Sequence, residues 1–166
     1  AHSFPTRRSS DLSPLLDRAR STAHTARALA GQIGENSCLA WTAGLFHNLG
    51  RVLLLRDPSI DTDGLWVDLL ADVRADEEAR LGFAQAALGC AALRSWGLPL
   101  SVCETVAWHD GVPLDERAVD APLPAVLVGL ARGLVLLGQL GDCPVGVDPV
   151  ATARAIGLER GRRRAA

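Results

Sequence analysis

Lysine is absent from the sequence, and all 17 basic residues are arginine. Together with abundant alanine, glycine and leucine, this composition is typical of a gene of high GC content and therefore indicates a coding bias rather than a function. The 19 acidic residues outnumber the basic ones, so the formal net charge is −2. A chain of this charge has no general electrostatic attraction to nucleic acid or to membranes, and binding to either would need a local basic patch.

Closely spaced cysteines are also absent. The chain has no Cys-x-x-Cys pair and no histidine at zinc-finger spacing, which excludes the common zinc motifs. The four cysteines are expected to be reduced and mostly buried thiols of a cytoplasmic protein. They are Cys38, Cys90, Cys103 and Cys143.

A long uninterrupted apolar run is likewise missing. The longest apolar stretch, PLPAVLVGLARGLVLLGQL, is interrupted by Arg132 and by several glycines. The interruption argues against a transmembrane segment and favours a buried helix. With 166 residues, of which 48% are apolar, the chain has the size and composition of one domain with a hydrophobic core.

Residues 2–12, HSFPTRRSSDL, show neither a helical nor a strand period and lack the order of a signal peptide. In one frame, a widely used short-read sequencing adapter translates as this same string. We therefore interpret residues 1–12 as an assembly artefact and expect the native protein to begin near Ser13, with upstream helices missing. The alternative interpretation is an ordinary disordered N-terminal tail.

From Ser13 onward the hydrophobic pattern is helical, without β-alternation or internal repeats. Apolar residues from Leu15 to Ile33 predict a first helix ended by Gly34, and Asn36 or Ser37 is expected to cap a second helix that continues past His47. Further helices are predicted at residues 65–73, 76–96, 99–110, 124–140 and 149–156. The predicted fold class is all-α: a single domain of about six to seven helices over residues 13–157, followed by a basic tail at 158–166.

One histidine lies in the apolar second helix and directly precedes an amide. A His-Asp pair on a helix, joined by a histidine from an earlier helix and an aspartate from a later one, can hold a divalent metal that activates water against a phosphoester. Here the pair is His47 and Asn48, and an amide cannot neutralise a metal ion. We therefore favour a core role for His47, in which one ring nitrogen bonds a carbonyl, over a role as a ligand.

Two longer motifs follow one another in the chain. The first is AGLFHNLG at residues 43–50, and the second is LGF…G…LRSWGLP at residues 81–99. Both resemble the HDOD family, a bacterial signalling branch of the HD superfamily that has lost the metal-dependent phosphohydrolase site. The resemblance extends from about Leu15 to about Leu140 and implies the helical fold of that family.

The resemblance also identifies positions of a vestigial HD site. Arg18 stands where the family usually has a histidine, and Asn48 replaces the aspartate of the dyad. Gln85 lies in the segment that often contains Asp-His-Ala-Glu, and His109 is followed by Asp110 where the family often has a run of histidines. We expect no catalytic residue, metal or cofactor at these positions, which are Arg18, His47, Asn48, Gln85, His109 and Asp110.

Other single residues carry structural expectations. His109 is expected to pair with an acid or with helix carbonyls, and His24 is expected on the surface. Trp41, Trp66 and Trp96 are interpreted as core or interface anchors, whereas Trp108 is a candidate for a partner groove. Because no βαβ pattern surrounds them, the glycines are expected to permit close helix packing rather than phosphate binding; they are Gly44, Gly50, Gly82 and Gly89.

Three functions are compatible with the sequence. The first is a non-catalytic regulatory module that contacts a protein partner or an adjacent signalling domain, without membrane or nucleic-acid binding. The second is a residual metal-dependent phosphohydrolase that uses His47 and His109, against which Arg18 and Asn48 argue. The third is a pocket at the former metal site, closed by Arg18 and open to an anionic nucleotide.

Overall fold

The computed structural model describes residues 12–62, 73–111 and 121–140. Within these ranges the chain is helical, with turns and loops but no β-strand, which confirms the predicted all-α class. A short 3₁₀ turn (His109–Gly111) follows α6. The α-helices are α1 (Ser13–Gln32), α2 (Ser37–Phe46), α3 (Leu49–Arg56), α4 (Val73–Leu81), α5 (Gln85–Ser95), α6 (Leu100–Trp108) and α7 (Leu123–Leu140).

The helices pack around a core of small side chains. Helix α1 packs against α2 and α7, α5 packs against α3 and α6, and α2 also contacts α6 and α7. Because alanine adds little bulk, helices can approach closely and pack at high density. The buried core consists of Ala26, Leu29, Ala30, Ala40, Ala43, Leu93, Val102, Cys103, Val106, Leu127, Val128 and Ala131.

Both ends of α1 and the start of α2 lie close to the positions that the local sequence predicts. The apolar face of α1 is buried through Ala19, Ala26 and Leu29. Gly34, just beyond the end of α1, has φ +75°, the left-handed conformation that favours glycine after a helix. Asn36 caps α2, because its Oδ1 accepts a 3.0 Å hydrogen bond from the backbone N–H of Leu39.

The predicted continuous helix through His47 is wrong. Helix α2 ends at Phe46 and α3 begins at Leu49, with a turn at His47 and Asn48 between them. Beyond the turn, α3 lies very close to the start of α5, since a Cβ on Gly50 would be 1.9 Å from the carbonyl oxygen of Gln85. Glycine permits this approach, so the close packing of α3 against α5 requires that residue 50 has no side chain.

The predicted helix over residues 76–96 is also wrong as a single element. It is interrupted after Leu81, and α5 starts only at Gln85. Gly82 has φ +80°, a conformation that ends the α-helical path and that glycine adopts without strain. Gly82 therefore serves the turn and not helix packing, since none of the described residues lies within 4 Å of a Cβ added there. A Cβ added at Gly44, by contrast, would lie 2.8 Å from the backbone of Ala23.

The later boundaries agree with the sequence to within about two residues. Pro99 is the N-cap of α6 rather than its first residue, and α7 begins at Leu123. Leu127 and Val128 are buried, which confirms α7 as a core helix. Several predictions concern residues outside the described ranges. They are the helix at 149–156, the tail at 158–166, Trp66, Cys143 and the helix at 65–73 except for its last residue.

Several exposure predictions are tested directly. His24 is exposed, as expected, and Trp41 is half-buried. Trp96 is 56% exposed and Trp108 is 38% exposed, so Trp96 is not a core residue. Among the three cysteines in the described ranges, all free, only Cys103 is fully buried, and Cys38 is exposed.

One stretch of the described chain, Ser37–Arg56, is long and apolar enough to cross a membrane by length and composition alone. It consists of α2 and α3, which are separated by the turn at His47 and Asn48. Both helices contact other helices of the domain. Core helices of soluble proteins pass the same test, so this stretch is weak evidence for a membrane segment.

Candidate functional site: a buried polar cluster

Polar side chains from five of the helices, from the turn after α2 and from the 3₁₀ turn meet in the interior of the domain. We call this group the polar cluster. Most of its members are buried although they carry charged or amide groups, and such groups are costly to bury unless they find partners. The cluster comprises Arg18, His47, Asn48, Arg51, Glu77, Gln85, His109, Asp110 and Arg132.

His47 is a neutral buried histidine. Its Nδ1–H donates a 2.7 Å hydrogen bond to the carbonyl oxygen of Gly44, because a carbonyl can only accept. Burial, and after it the neighbouring His109, lowers the pKa of the His47 imidazole well below its ordinary value of 6.5. At neutral pH the other ring nitrogen, Nε2, is therefore an acceptor with a free lone pair.

His109 faces acceptors on both sides of its ring. Its Nδ1–H donates to the carbonyl oxygen of Val106 over 2.6 Å, while Nε2 lies 3.0 Å from Oδ1 of Asp110. This contact is close enough for an ion pair when His109 is protonated, but it does not have the geometry of a well-aligned hydrogen bond. The rings of His47 and His109 meet edge to face, with centroids 5.3 Å apart and an interplanar angle of 83°.

Asp110 is the carboxylate at the centre of the cluster. Its Oδ2 accepts a 2.7 Å hydrogen bond from Nε2 of Gln85, and its Oδ1 lies 3.4 Å from Nη1 of Arg132. Burial by itself raises the pKa of this carboxyl, but His109 and the guanidiniums of Arg132 and Arg51 outweigh it and lower the pKa far below its usual range. Asp110 is thus ionised and already bound by groups of the protein itself.

A second ion pair lies beside the first. Nε of Arg51 is 3.6 Å from Oε1 of Glu77, and the two side chains are 2% and 0% exposed. The other carboxylate oxygen of Glu77 accepts a 2.7 Å hydrogen bond from the backbone N–H of Gln85, at the start of α5. Burial lowers the pKa of Arg51 to about 10, so its guanidinium remains charged at neutral pH.

A small pocket opens beside the polar cluster. It measures about 220 Å³ when the part open to solvent is included. Three guanidiniums line it and no carboxylate does, while Oδ1 of Asn48 is buried there without a hydrogen-bond partner among the described residues. The lining residues are Arg18, Thr22, His47, Asn48, Arg51, Arg132, Val135 and Leu136.

The residues present do not fit a divalent metal. The two histidines each donate Nδ1–H to a backbone carbonyl, the orientation common among metal-ligating histidines. However, Nε2 of His109 is directed at Asp110, and Arg51 and Arg132 place positive charge where a cation would be bound. In the described part of the chain, no group of three or more His, Cys, Asp or Glu side chains is arranged to hold a metal ion.

The structure brings all six predicted site positions together. Arg18, His47 and Asn48 line the pocket, and Gln85, His109 and Asp110 form the adjoining network. Sequence reasoning missed Arg51, Glu77 and Arg132. Arg51 lies four residues after His47, about one helical turn along the chain, and Arg132 is the one charged residue in the apolar sequence of α7. Each could therefore have been identified from the sequence as a buried charge that needs a partner.

These features define the class of the protein: an all-helical domain whose interior holds a cluster of histidine, amide, carboxylate and arginine side chains. A family model described as HDOD domain matches residues 2–112, which is more than half of the chain, and the chain therefore belongs to the HDOD family. The family indicates a regulatory or signalling module of the HD superfamily.

No similar curated protein and no similar solved structure was found. The family match starts at residue 2 and so includes the segment at residues 2–12. The interpretation of that segment as a translated sequencing adapter stays a prediction.

Proposed function

We propose that this chain is a non-catalytic cytoplasmic signalling module that acts through contacts with a protein partner or with an adjacent signalling domain. The observation that carries the proposal is the set of three arginines, Arg18, Arg51 and Arg132, that line the pocket beside His47 and Asn48. In a metal-dependent phosphohydrolase, the same place would need carboxylates and neutral imidazoles.

Electrostatics supports this interpretation. Two unit charges about 4 Å apart interact by about 4 kcal/mol at an effective dielectric constant of about 20, and a divalent cation doubles that repulsion for each nearby guanidinium. Neither Glu77 nor Asp110 lines the pocket. Both carboxylates are engaged by arginines or by other protein groups, so they are not available to offset a metal ion.

A signal would pass through such a module by a shift between helix arrangements, with no bond broken. The polar cluster joins α3, α4, α5, α7 and the 3₁₀ turn, so a change in one of these helices alters the partners of the others. Exposed apolar side chains supply contact area for a partner or neighbouring domain. They include Phe83, Trp96, Leu100 and Trp108.

A residual phosphohydrolase is the second candidate, and one observation favours it. The rings of His47 and His109 lie next to each other, and each has Nδ1 bound to a carbonyl. Nε2 of His47 could therefore face a metal ion if the arginines moved away. This arrangement is the reason to test for metal directly.

The test is elemental mass spectrometry on the full chain, purified without chelator, together with a chromogenic phosphodiester assay. We expect only substoichiometric transition metal in the wild-type protein, no phosphodiester hydrolysis above background, and no difference between His47→Ala and wild type. The matched control is His24→Ala, which removes an exposed histidine. About one or two equivalents of metal, lost in His47→Ala but kept in His24→Ala, would contradict the proposal and support the hydrolase.

A further inference from the structure

The pocket beside the polar cluster has an excess of positive charge. Its three arginines come from three different helices, α1, α3 and α7. Among the described residues, the carboxylates that form ion pairs with these arginines are Glu77 and Asp110. Within that part of the chain, three guanidiniums face two carboxylates, an excess of one positive charge in a largely buried place. A buried excess charge is costly, and this cost is lowered when a ligand of opposite charge binds.

Arg18 is the arginine that supplies this excess. Arg51 is close to Glu77, and Arg132 is close to Asp110. Arg18, in contrast, lines the pocket and forms no hydrogen bond or ion pair with any residue in the described part of the chain. Its planar group of five N–H donors is therefore available to bind the oxygens of a ligand.

Uncharged polar groups complete the lining. Thr22 is 1% exposed and Asn48 is 5% exposed, and both line the pocket. The Asn48 Oδ1 has no hydrogen-bond partner among the described residues. Because a half-turn of the amide exchanges its oxygen and nitrogen, Asn48 can present N–H donors to an anion without moving its backbone.

We propose that this pocket binds a phosphate group, either as free phosphate or as the phosphomonoester end of a larger ligand. Guanidinium groups bind pairs of phosphate oxygens in a planar, bidentate geometry, and the absence of a lining carboxylate removes the main source of repulsion. The inference rests on the proposed function, since it requires that no metal ion occupies the same place.

The size of the pocket limits its occupant. The space of about 220 Å³ includes the part open to solvent, and the enclosed part has room for about one water molecule. A phosphate group therefore binds at the opening, and only where the arginine side chains move apart to admit it. Any further part of a phosphomonoester must extend through the opening. Arg18 is only partly buried, so its side chain can adjust around the anion.

The experiment is isothermal titration calorimetry on the full chain with inorganic phosphate, adenosine 5′-monophosphate or adenosine, each at constant ionic strength set with chloride. We expect phosphate to bind, and Arg18→Gln to weaken its binding by about tenfold or more, because one charge-assisted interaction is lost. The matched control is Arg20→Gln, an exposed arginine on the same helix, which should bind phosphate within about twofold of wild type.

The arms of the experiment distinguish the sources of the phosphate group. Tighter binding of the monophosphate than of inorganic phosphate, with no binding of adenosine, identifies a phosphomonoester ligand. Equal binding of the two identifies the bare oxyanion as the ligand. Absence of phosphate binding, or equal affinities of Arg18→Gln and Arg20→Gln, overturns the inference.

Two further measurements separate this inference from the proposed function and from misfolding. Circular dichroism melting without phosphate shows whether Arg18→Gln is folded. If it is not folded, Arg18→Lys is used in its place. This variant is expected to weaken phosphate binding, because an ammonium group lacks the bidentate geometry of a guanidinium. If the purified chain contains no metal and does not bind phosphate, the phosphate pocket is wrong but the proposed function stands. If the chain contains stoichiometric metal, both the phosphate pocket and the proposed function are wrong.

Discussion

At the scale of single residues, the buried ion pair between Arg51 and Glu77 joins α3 to α4. Both side chains are almost completely inaccessible to solvent, and Glu77 also holds the backbone N–H at the start of α5. Replacing such a pair with apolar groups can be neutral, but removal of one partner leaves a buried charge that the protein cannot solvate. The two kinds of change therefore have different effects.

We expect Arg51→Met to lower the free energy of unfolding by about 3–5 kcal/mol, because it leaves the Glu77 carboxylate without this guanidinium. Adding Glu77→Gln should recover part of that loss, since a glutamine oxygen can still accept the hydrogen bond from Gln85 without carrying a charge. Urea unfolding of the two variants and of the wild-type chain measures both effects.

Arg74→Met is the matched control for this experiment. Arg74 and Glu78 form an ion pair of 2.8 Å within α4, but the two side chains are 34% and 46% exposed. An exposed pair of this kind contributes at most about 0.5 kcal/mol, so the control should unfold almost as the wild type does. If Arg51→Met lowered the free energy of unfolding by no more than Arg74→Met does, the buried pair would contribute no more to stability than the exposed pair. This result would contradict the prediction.

At the residue scale, local chemistry predicted some partners and missed others. The cap on α2 follows from Asn36 and the residues just after it, and the carbonyl partner of His47 is only three residues away. The role of Glu77 was not predictable in this way. An acidic residue near a helix start is usually solvated, and its burial depends on α3 and α5 folding against it.

At the scale of helices, the most demanding contact is the approach of α3 to α5. The backbone at Gly50 in α3 lies against the carbonyl of Gln85 at the start of α5. One turn further along α5, a Cβ added at Gly89 would be 3.3 Å from the backbone nitrogen of Gly50. Two glycines on facing helices thus allow backbone contact. The position of Gln85, and through it of Asp110, depends on this close packing.

We expect Gly50→Ala to destabilise the protein by about 1–3 kcal/mol or more, because the added methyl group would clash with backbone atoms of α5 that cannot move independently. The control is Gly133→Ala in α7, where nothing lies within 4 Å of an added Cβ. With no described residue within that distance, the substitution should be neutral or stabilising by up to about 1 kcal/mol, since alanine favours the helix. Thermal unfolding of both variants tests the contact, and equal stabilities would argue against it.

Helix boundaries show the limit of local patterns at this scale. The periodicity of apolar residues correctly predicted α1 and α7, both of which contribute residues to the core. It overlooked the breaks at His47 and at Gly82, because the residues on both sides of each break still follow a helical period. A glycine in such a run is compatible with a helix, a turn or close packing, and only the neighbouring elements decide among them.

At the scale of the whole molecule, the buried titratable groups link stability to pH. The folded protein lowers the pKa of His47 below 6.5, so the unfolded chain binds a proton in a pH range where the folded chain does not. Stability from this group is therefore complete above pH 6.5 and is lost as the pH falls toward the folded pKa. Asp110 acts in the same direction below its ordinary value of 3.8.

We expect the free energy of unfolding to decrease between pH 6.5 and about pH 5, by up to about 1.4 kcal/mol per pH unit for the one proton of His47. His47→Gln should show a smaller slope, because it has no group to titrate there. His24→Gln is the control, since His24 is exposed, and it should keep the slope of the wild type. Urea unfolding at a series of pH values gives these slopes, and identical slopes for the two variants would contradict the assignment.

The sequence by itself determined the properties that depend on neighbouring residues. The helical class, a cap on α2 at Asn36 or Ser37, the end of α1 at Gly34, the core helix α7 and the motifs of the HDOD family all follow from spacings within about one helix. The tertiary structure decided which charges are buried and what they face. Arg18, Arg51 and Arg132 are far apart in the chain, and their meeting at one pocket depends on how α1, α3 and α7 pack, since the distance between residues on different helices is set by packing and not by their separation in sequence.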